Sequence, residues 1–430
     1  MQLAEISVKG LFGRYSHTVT FPTSEENDSR PSVTILHGQN GIGKTTLLRM
    51  LEGAMRLDFD IFRRTPFSSF RLIFNSGQEL KVTPSNGGIF IEFGELNAIL
   101  SATGKGAADP DDQPRVEELR ARFQNATQGV TLTYVDANRS FGFPSWLHVD
   151  EDDLSTRQIA LDREMRNLRR MRTGVESDVP DPLKFSARPK DLLARRVKKF
   201  IQDAQLDYRQ FFAVGEPDLL PRIIHNLRTR TAEPMSRDAV ASELGRVFER
   251  ADVHKRLGIV GTETWDYESL KEILGDIGDK PGDEHALVAF NTYVEFLSAQ
   301  ADARHLIAER LLTFEEVMKD FFEDKAVMID QKHGLRVMTA NNSYLDESQL
   351  SSGEYQLLFL MVSALTTRRR GTVIAIDEPE ISVHISWQRR LVHNLIRCAS
   401  RAAPQFIFAT HSPDIASGYP ESMVELSPKV

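Results

Sequence analysis

Residues Gly38-Gln39-Asn40-Gly41-Ile42-Gly43-Lys44-Thr45 directly follow the apolar run Val33-Thr34-Ile35-Leu36. This order predicts a strand, a glycine-rich loop, and a helix that begins near Gly43. Glycines let backbone N–H groups turn inward, and the helix points its positive end into the same space, so the loop suits phosphate groups. We expect Lys44 to reach the β- and γ-phosphates of ATP and the Thr45 hydroxyl to ligate Mg²⁺. A plain glycine turn is the alternative. The candidate binding residues are Asn40, Gly41, Gly43, Lys44, Thr45 and Thr46.

Composition describes an ordinary globular chain. Of 430 residues, 41% are hydrophobic and 27% charged, and the net charge is −8. That charge argues against coating nucleic acid along the whole surface, although a local basic patch stays possible. Cys398 is the single cysteine, so no disulfide framework or Cys-based zinc site is expected within the chain, and a reducing cytoplasm suits it. No signal peptide or membrane span is expected either.

The predicted secondary-structure pattern changes twice along the chain. Residues 1–145 read mainly as short strands around the phosphate loop, and residues 326–430 return to strands and helices. Between them, residues 146–325 read as charged helices with few strand signals. One apolar stripe, predicted to lie on a single helix face, consists of Ile307, Leu311, Phe314, Met318 and Phe321. The sequence therefore predicts an N-terminal lobe, a helical insertion and a C-terminal lobe with these boundaries.

Two motifs follow near the C-terminal end. Leu350-Ser351-Ser352-Gly353-Glu354-Tyr355-Gln356 opens a predicted helix, and taken alone it is an ordinary serine cap. The next motif, Val373-Ile374-Ala375-Ile376-Asp377-Glu378-Pro379-Glu380, predicts a buried parallel strand that ends in carboxylates. Open α/β sheets bind ligands at this edge. We expect Asp377 to hold the magnesium ion and Glu378 to polarise the attacking water.

A third motif, Phe406-Ile407-Phe408-Ala409-Thr410-His411-Ser412, places a histidine at the end of another buried strand. A lone histidine there is more often structural, but its place after the other motifs favours a catalytic role. In this order the motifs resemble those of ABC-type ATPases, in the soluble branch that includes RecF, the SMC proteins and the OLD-family ATPases. The segments Ile376–His384 and Ala409–Pro413 look most like the OLD-like ATPases of bacterial anti-phage systems.

The resemblance covers residues 1–100 and 326–430 and implies an α/β fold. The expected fold is a P-loop ABC-type ATPase head, a mixed sheet with flanking helices, split by the helical insertion. In such ATPases the signature of one subunit completes the nucleotide site of another. By that resemblance Ser351 and the Gly353 N–H would face ATP bound by Lys44 of a second copy, so a homodimer or larger symmetric assembly is expected. His411 would contact the γ-phosphate.

The family pattern also has features that are missing or changed here. OLD-family proteins usually continue into a TOPRIM nuclease domain, and this chain stops about twenty residues after His411. A nuclease, if one acts with it, is therefore expected to be a separate effector protein. No glutamine occupies an obvious lid position. Arg139 is a candidate nucleotide sensor there, and a surface salt bridge is an equal alternative.

Residues 154–200 contain thirteen Arg or Lys against six Asp or Glu. Such a segment is able to neutralise phosphates of nucleic acid, dock an acidic partner, or form a solvated helix face. The leading hypothesis is an ATP-driven switch that controls an effector in anti-phage defence. The alternative is a RecF-like genome-maintenance ATPase that binds DNA through these basic helices. A transporter energy subunit is disfavoured by the large insertion, and a scaffold that binds ATP without turnover stays open.

Overall fold

The computed structural model describes residues 1–23, 30–85, 88–101, 113–127, 130–136, 191–213, 219–229, 236–259, 266–278, 282–368, 371–400 and 402–427. The strands are β1 (Leu3–Leu11), β2 (Tyr15–Thr20), β3 (Ser32–His37), β4 (Ser69–Phe74), β5 (Glu79–Ser85), β6 (Gly88–Phe93), β7 (Leu96–Ser101), β8 (Leu132–Val135), β9 (Lys325–Asp330), β10 (Gly334–Thr339), β11 (Tyr344–Leu345), β12 (Val373–Asp377), β13 (Gln405–Ala409) and β14 (Met423–Glu425). The helices are α1 (Lys44–Arg56), α2 (Asp60–Arg64), α3 (Gln113–Ala126), α4 (Leu192–Ala213), α5 (Leu219–Thr229), α6 (Arg237–Arg256), α7 (Tyr267–Asp276), α8 (Asp283–Phe321), α9 (Ser352–Leu365), α10 (Ile385–Cys398) and α11 (Pro413–Ala416).

The chain divides into two compact units. The first combines Met1–Pro189 with Thr367–Val430, and the second is Lys190–Thr366. The lobe boundaries expected near residues 145 and 325 stay predictions. Among the described residues, no helix combines the length and apolarity needed to cross a bilayer.

The first unit contains two sheets of different character. One is antiparallel with the order β2-β1-β4-β5-β6-β7, and the other is parallel with the order β14-β3-β13-β12-β8. In β4 and β6 buried and half-buried positions alternate, whereas all five residues of β12 and of β13 are buried. This difference follows from the sequence, because a strand covered on both faces needs a continuous apolar run. The predicted α/β class and the buried parallel strands are confirmed.

A single hydrophobic core holds these two sheets and α1 together. It includes Leu47 and Leu51 of α1, Phe70 of the antiparallel sheet, and Ile407 and Ala409 of the parallel sheet, all of them fully buried. The helix that follows the phosphate loop is therefore packed between the sheets along its apolar face. Such packing fixes the direction in which the start of α1 points.

The second unit is mainly helical. Its longest helix, α8, has 39 residues and is roughly 58 Å long at 1.5 Å per residue. Helices α5 and α6 pack along it, and Val240, Leu244 and Val294 lie in a small core between α6 and α8. The predicted apolar stripe lies on α8, where Leu311, Phe314, Met318 and Phe321 are buried. A three-stranded sheet, β11-β10-β9, and the signature helix α9 also belong to this unit.

Candidate nucleotide site

The parallel sheet brings the predicted motifs to one edge. Because β3, β13, β12 and β8 run in the same direction and lie side by side, the segments after them share the carboxyl edge of the sheet. A cleft of about 550 Å³ opens there. Its lining residues all belong to the first unit: Phe12, Asn40, Gly41, Gly43, Lys44, Thr45, Thr46, Glu378, Glu380 and His411.

The phosphate loop has the backbone geometry that its glycines predict. Gly43 precedes α1 with φ +99°, and a Cβ atom there would lie 2.5 Å from Leu11 Cδ2. Gly38, at φ +154°, would place a Cβ atom 2.6 Å from the carbonyl oxygen of Leu426. No side chain caps the start of α1, and its first turn contains no acidic residue. Its first N–H groups are therefore suited to an anionic ligand.

Lys44 lies inside the loop, with 5% of its surface exposed. Its Nζ donates hydrogen bonds to the carbonyl oxygens of Gly38 at 2.9 Å and Gln39 at 3.3 Å, and it lies 3.5 Å from His411 Nδ1. Burial lowers the pKa of Lys44, while the carboxylates of the Asp377–Glu380 segment oppose that shift. These contacts link the N-terminal motif to the last motif across 367 residues.

A second histidine supports the phosphate loop, and the sequence reasoning missed it. His17 of β2 is 4% exposed, and its Nε2 lies 2.9 Å from the carbonyl oxygen of Ile42. Burial lowers the pKa of His17, which favours the neutral ring, and a neutral ring with its proton on Nε2 donates to that oxygen. The only sequence signal is strand alternation, which places His17 on the same buried face as Val19.

Asp377 ends β12 with 1% of its surface exposed. In the described part of the chain, neither carboxylate oxygen has a hydrogen-bond partner of normal geometry. Burial raises the pKa of Asp377 to about 6, although the nearby Thr45 hydroxyl acts in the opposite direction. A buried carboxylate without partners is a group that a cation would satisfy.

The donor set around Asp377 fits Mg²⁺. Among the described residues, no group of three or more His, Cys, Asp or Glu side chains forms a metal cage. Mg²⁺ usually binds through one or two protein oxygens, with water and substrate phosphates completing its shell. One buried carboxylate beside the Thr45 hydroxyl at a phosphate loop matches that pattern.

Glu378 has a backbone conformation that is rare for its residue type. Its φ is +46°, and its N–H donates to the carbonyl oxygen of Ala409 at 2.7 Å. Left-handed backbone at a residue other than glycine carries strain, which persists where the surrounding structure holds it. Here the hydrogen bond to β13 holds it, and the side chain of Glu378 lines the cleft.

An ion pair lies beside Asp377. Arg49, one turn after Thr45 on α1, contacts Asp136 at the end of β8, with 3.0 Å between its Nη2 and Oδ2. Burial would lower the pKa of Arg49, but the Asp136 charge and nearby hydrogen bonds raise it overall. The sequence pattern did not predict this contact between α1 and the end of β8. The lid candidate Arg139 lies outside the described residues.

Ser351 and Gly353, expected to act in a composite site, belong to the second unit. Ser351 is exposed and caps α9 in a capping box, in which its hydroxyl accepts from the Glu354 N–H and the Glu354 carboxylate accepts from the Ser351 N–H at 2.9 Å. Lys325 pairs with Glu354. Burial would raise the pKa of Glu354, but hydrogen bonds from Lys325 and Ser351 lower it overall. The start of α9 is thus held by a capping box and an ion pair, and Ser351 is exposed.

Only residues 191–200 of the basic segment 154–200 are described, and they are not uniformly solvated. Arg196 donates to the hydroxyls of Thr366 at 2.8 Å and Ser363 at 3.3 Å, and burial lowers its pKa to about 10. Arg195 and Lys199 are exposed. In this part of the segment, then, Arg196 binds the protein itself rather than a partner.

Comparison with known proteins agrees with the motifs. A family model described as "AAA domain, putative AbiEii toxin, Type IV TA system" matches residues 196–417, a segment that includes Asp377, Glu378 and His411. No curated protein matches the chain.

Several solved structures of SMC heads are similar over almost the whole chain at low identity. A Pyrococcus furiosus Smc head with an extended coiled coil, bound to the C-terminal domain of ScpA, is 11% identical and has a TM-score of 0.39, with 100% of this chain and 94% of that chain covered. An SmcHead bound to the C-winged helix domain of ScpA is 12% identical and has a TM-score of 0.40, with 100% of this chain and 95% of that chain covered. The Thermotoga maritima SMC head is 11% identical and has a TM-score of 0.34, with 99% of this chain and 94% of that chain covered.

Since the family model spans 222 of the 430 residues, the chain belongs to this AAA-domain family.

Proposed function

We propose that the chain binds and hydrolyses ATP and works as a molecular switch. One observation carries the proposal: a buried lysine, two carboxylates and a histidine line one cleft at a phosphate loop, and Asp377, whose buried carboxylate has no hydrogen-bond partner among the described residues, directly precedes one of those carboxylates. Structural sites rarely gather these groups, because an unpaired buried carboxylate destabilises the folded chain. A ligand that carries phosphates and a cation would satisfy them together.

Each residue at the site would have its own role in binding and hydrolysing ATP. The loop amides and Lys44 would bind the phosphates, with Lys44 exchanging its carbonyl partners Gly38 and Gln39 for phosphate oxygens. Thr45 and Asp377 would hold Mg²⁺, which when bound neutralises charge on the phosphates. Glu378 would accept the proton of the attacking water.

His411 would stabilise the γ-phosphate end, since its Nδ1 lies beside Lys44 in the cleft. The imidazole would donate to a phosphate oxygen through a ring N–H. Loss of the γ-phosphate would remove that contact, and the site would then differ between its ATP and ADP forms. This difference is what a switch requires.

For the assembly, we propose that Ser351 and the Gly353 N–H of one copy complete the site of another. The exposed Ser351 at the start of α9 supports this, since helix N-termini bind anions and the cleft itself is lined by the other unit. The resulting homodimer, or larger symmetric oligomer, would form with ATP and come apart after hydrolysis.

For the biological role, we propose an OLD-like switch that controls a separate effector, such as a nuclease, in cytoplasmic anti-phage defence. The residues after β12 and β13 support this subfamily, and the matching family model is described by a putative toxin of a type IV toxin–antitoxin system. The alternative, a RecF-like DNA-repair ATPase, is favoured by the basic residues of 154–200 and by the exposure of Arg195 and Lys199.

The deciding experiment is the solution mass of Glu378→Gln, measured by light scattering with and without ATP and Mg²⁺. We expect the mass to double or rise further with ATP, because this variant binds but does not turn over. Lys44→Ala should stay at the ligand-free mass, and Lys319→Ala, which changes an exposed lysine outside the basic segment, serves as its control. A mass that rises only when duplex DNA is added would favour the RecF-like alternative. A monomer under every condition would contradict the composite site.

A further inference from the structure

Glu380 is a second carboxylate at the cleft, and both of its oxygens are already used. Its Oε1 accepts the backbone N–H of His411 at 2.8 Å, and its Oε2 accepts the hydroxyl of Thr410 at 2.8 Å. Thr410 is 1% exposed, so the threonine side of this contact is shielded from water. Glu380 therefore links the segment after β12 to the segment after β13.

The contacts continue into a closed ring. The Thr410 hydroxyl accepts the N–H of Ser412 at 2.9 Å, and the Ser412 hydroxyl donates to Gln388 at 2.7 Å. Gln388, on α10, returns to the first segment, because its amide donates to the carbonyl oxygens of Val383 at 2.9 Å and Glu380 at 3.4 Å. The backbone around His411 is thereby held on both sides.

We infer that Glu380 is a positioning residue that fixes His411 at the γ-phosphate end of the site. This inference rests on the proposed function. Glu380 and Glu378 are two residues apart and line the same cleft, so either is a candidate base on position alone. Their surroundings differ, because the oxygens of Glu380 are committed to the backbone and hydroxyl of the neighbouring segment. A committed acceptor orients its donor, and here that donor is the residue that senses the phosphate.

Two substitutions of Glu380 distinguish a positioning role from a role that needs the negative charge of its carboxylate. In Glu380→Gln the amide oxygen still accepts from the His411 N–H, and its NH₂ group donates to the Thr410 hydroxyl, which has two acceptor positions. Both links survive without the charge. In Glu380→Ala both are lost, and the His411 backbone N–H loses its acceptor. A base or a charged group would tolerate neither change.

The test measures the preference for ATP over ADP, a readout that needs no turnover. Both dissociation constants are measured by calorimetry with Mg²⁺ in the Glu378→Gln background. We expect Glu380→Ala to reduce the preference by about tenfold, because a displaced His411 would lose its one hydrogen bond to the γ-phosphate, about 1.4 kcal/mol. Glu380→Gln should stay within about threefold of the parent. Glu421→Ala, which removes an exposed carboxylate from the same unit, is the control.

A second measurement asks whether Glu380 acts through His411. His411→Ala should lose the preference by itself, and adding Glu380→Ala should reduce it no further. Full additivity of the two changes would overturn the inference, and so would equal damage from Gln and Ala, or an unchanged preference in Glu380→Ala. A parent that binds no ATP would overturn the proposed function as well, whereas these other outcomes overturn the role of Glu380 alone.

Discussion

The carboxyl of Asp377 should destabilise the protein when no ligand is bound. Its pKa is about 6 against an ordinary value of 3.8, a rise of roughly two pKa units, or about 3 kcal/mol at 1.36 kcal/mol per unit. Asp377→Asn removes that penalty but buries an amide that has donors to satisfy, at a cost of about 1–2 kcal/mol. We therefore expect the ligand-free variant to be more stable by about 1–2 kcal/mol at pH 7.5.

The pH dependence follows from the sign of the shift. A carboxyl with a raised pKa binds more protons in the folded state than in the unfolded state between pH 3.8 and about 6. Stability therefore falls as the pH rises through this window, and the whole penalty is present above it. The advantage of Asp377→Asn should shrink as the pH falls from 7.5 to 5, because the native carboxyl is then protonated.

The assay is thermal unfolding in a chelating buffer at several pH values, together with nucleotide binding. At roughly 2–4 °C per kcal/mol, Asp377→Asn should unfold about 2–8 °C higher at pH 7.5, while its Mg²⁺-dependent ATP binding is lost. Asp58→Asn is the control, since Asp58 is exposed and asparagine retains its acceptor for the Asp60 N–H. The reasoning would be refuted if Asp377→Asn unfolded at a lower temperature than the wild type at pH 7.5. It would also be refuted if the difference between their unfolding temperatures did not change with pH.

Three further changes test other parts of the structure. Gly43→Ala should lower the free energy of unfolding in urea by about 1–3 kcal/mol, because the new Cβ atom clashes with Leu11 and the backbone φ is positive. Gly41→Ala is the control: its φ is also positive, but no described atom lies within 4 Å of a Cβ atom there, so it carries only the backbone strain. Equal losses of stability in the two variants would argue against the clash. His17→Ala should weaken ATP binding by about fivefold to tenfold in calorimetry, because the loop loses a hydrogen bond of roughly 1 kcal/mol, and unchanged affinity would argue against loop support. Glu347→Ala should lower urea stability by about 2–4 kcal/mol, since two backbone N–H groups at the start of α4 lose their acceptor, and a loss under 0.5 kcal/mol would contradict this.

The sequence predicted most of the elements that carry the candidate site. Continuous apolar runs identified β12 and β13 as buried strands, and parallel strands necessarily bring Asp377 and His411 to one edge. The glycine spacing located the loop and the start of α1 within one residue. These features depend on local pattern, so no tertiary information was needed.

What the sequence did not predict depends on contacts between distant residues. His17 supports the loop from β2, and Arg49 meets Asp136 across 87 residues. Neither pair has a spacing that marks it, because the partners meet only after the strands have paired. Glu380 is a related case. The sequence motif contains this residue, but the motif does not predict its hydrogen bonds to the Thr410–His411 segment.

The charges gathered at the cleft bear on the form in which a nucleotide arrives. Formally, Lys44 carries one positive charge there, against three negative charges on Asp377, Glu378 and Glu380. The lysine is also internally satisfied by its loop carbonyls. Free ATP, a multiply charged anion, would meet repulsion at such a surface, whereas ATP already complexed with Mg²⁺ brings the cation that balances the carboxylates. We therefore expect the ligand-free site to favour the Mg²⁺ complex of ATP over free ATP.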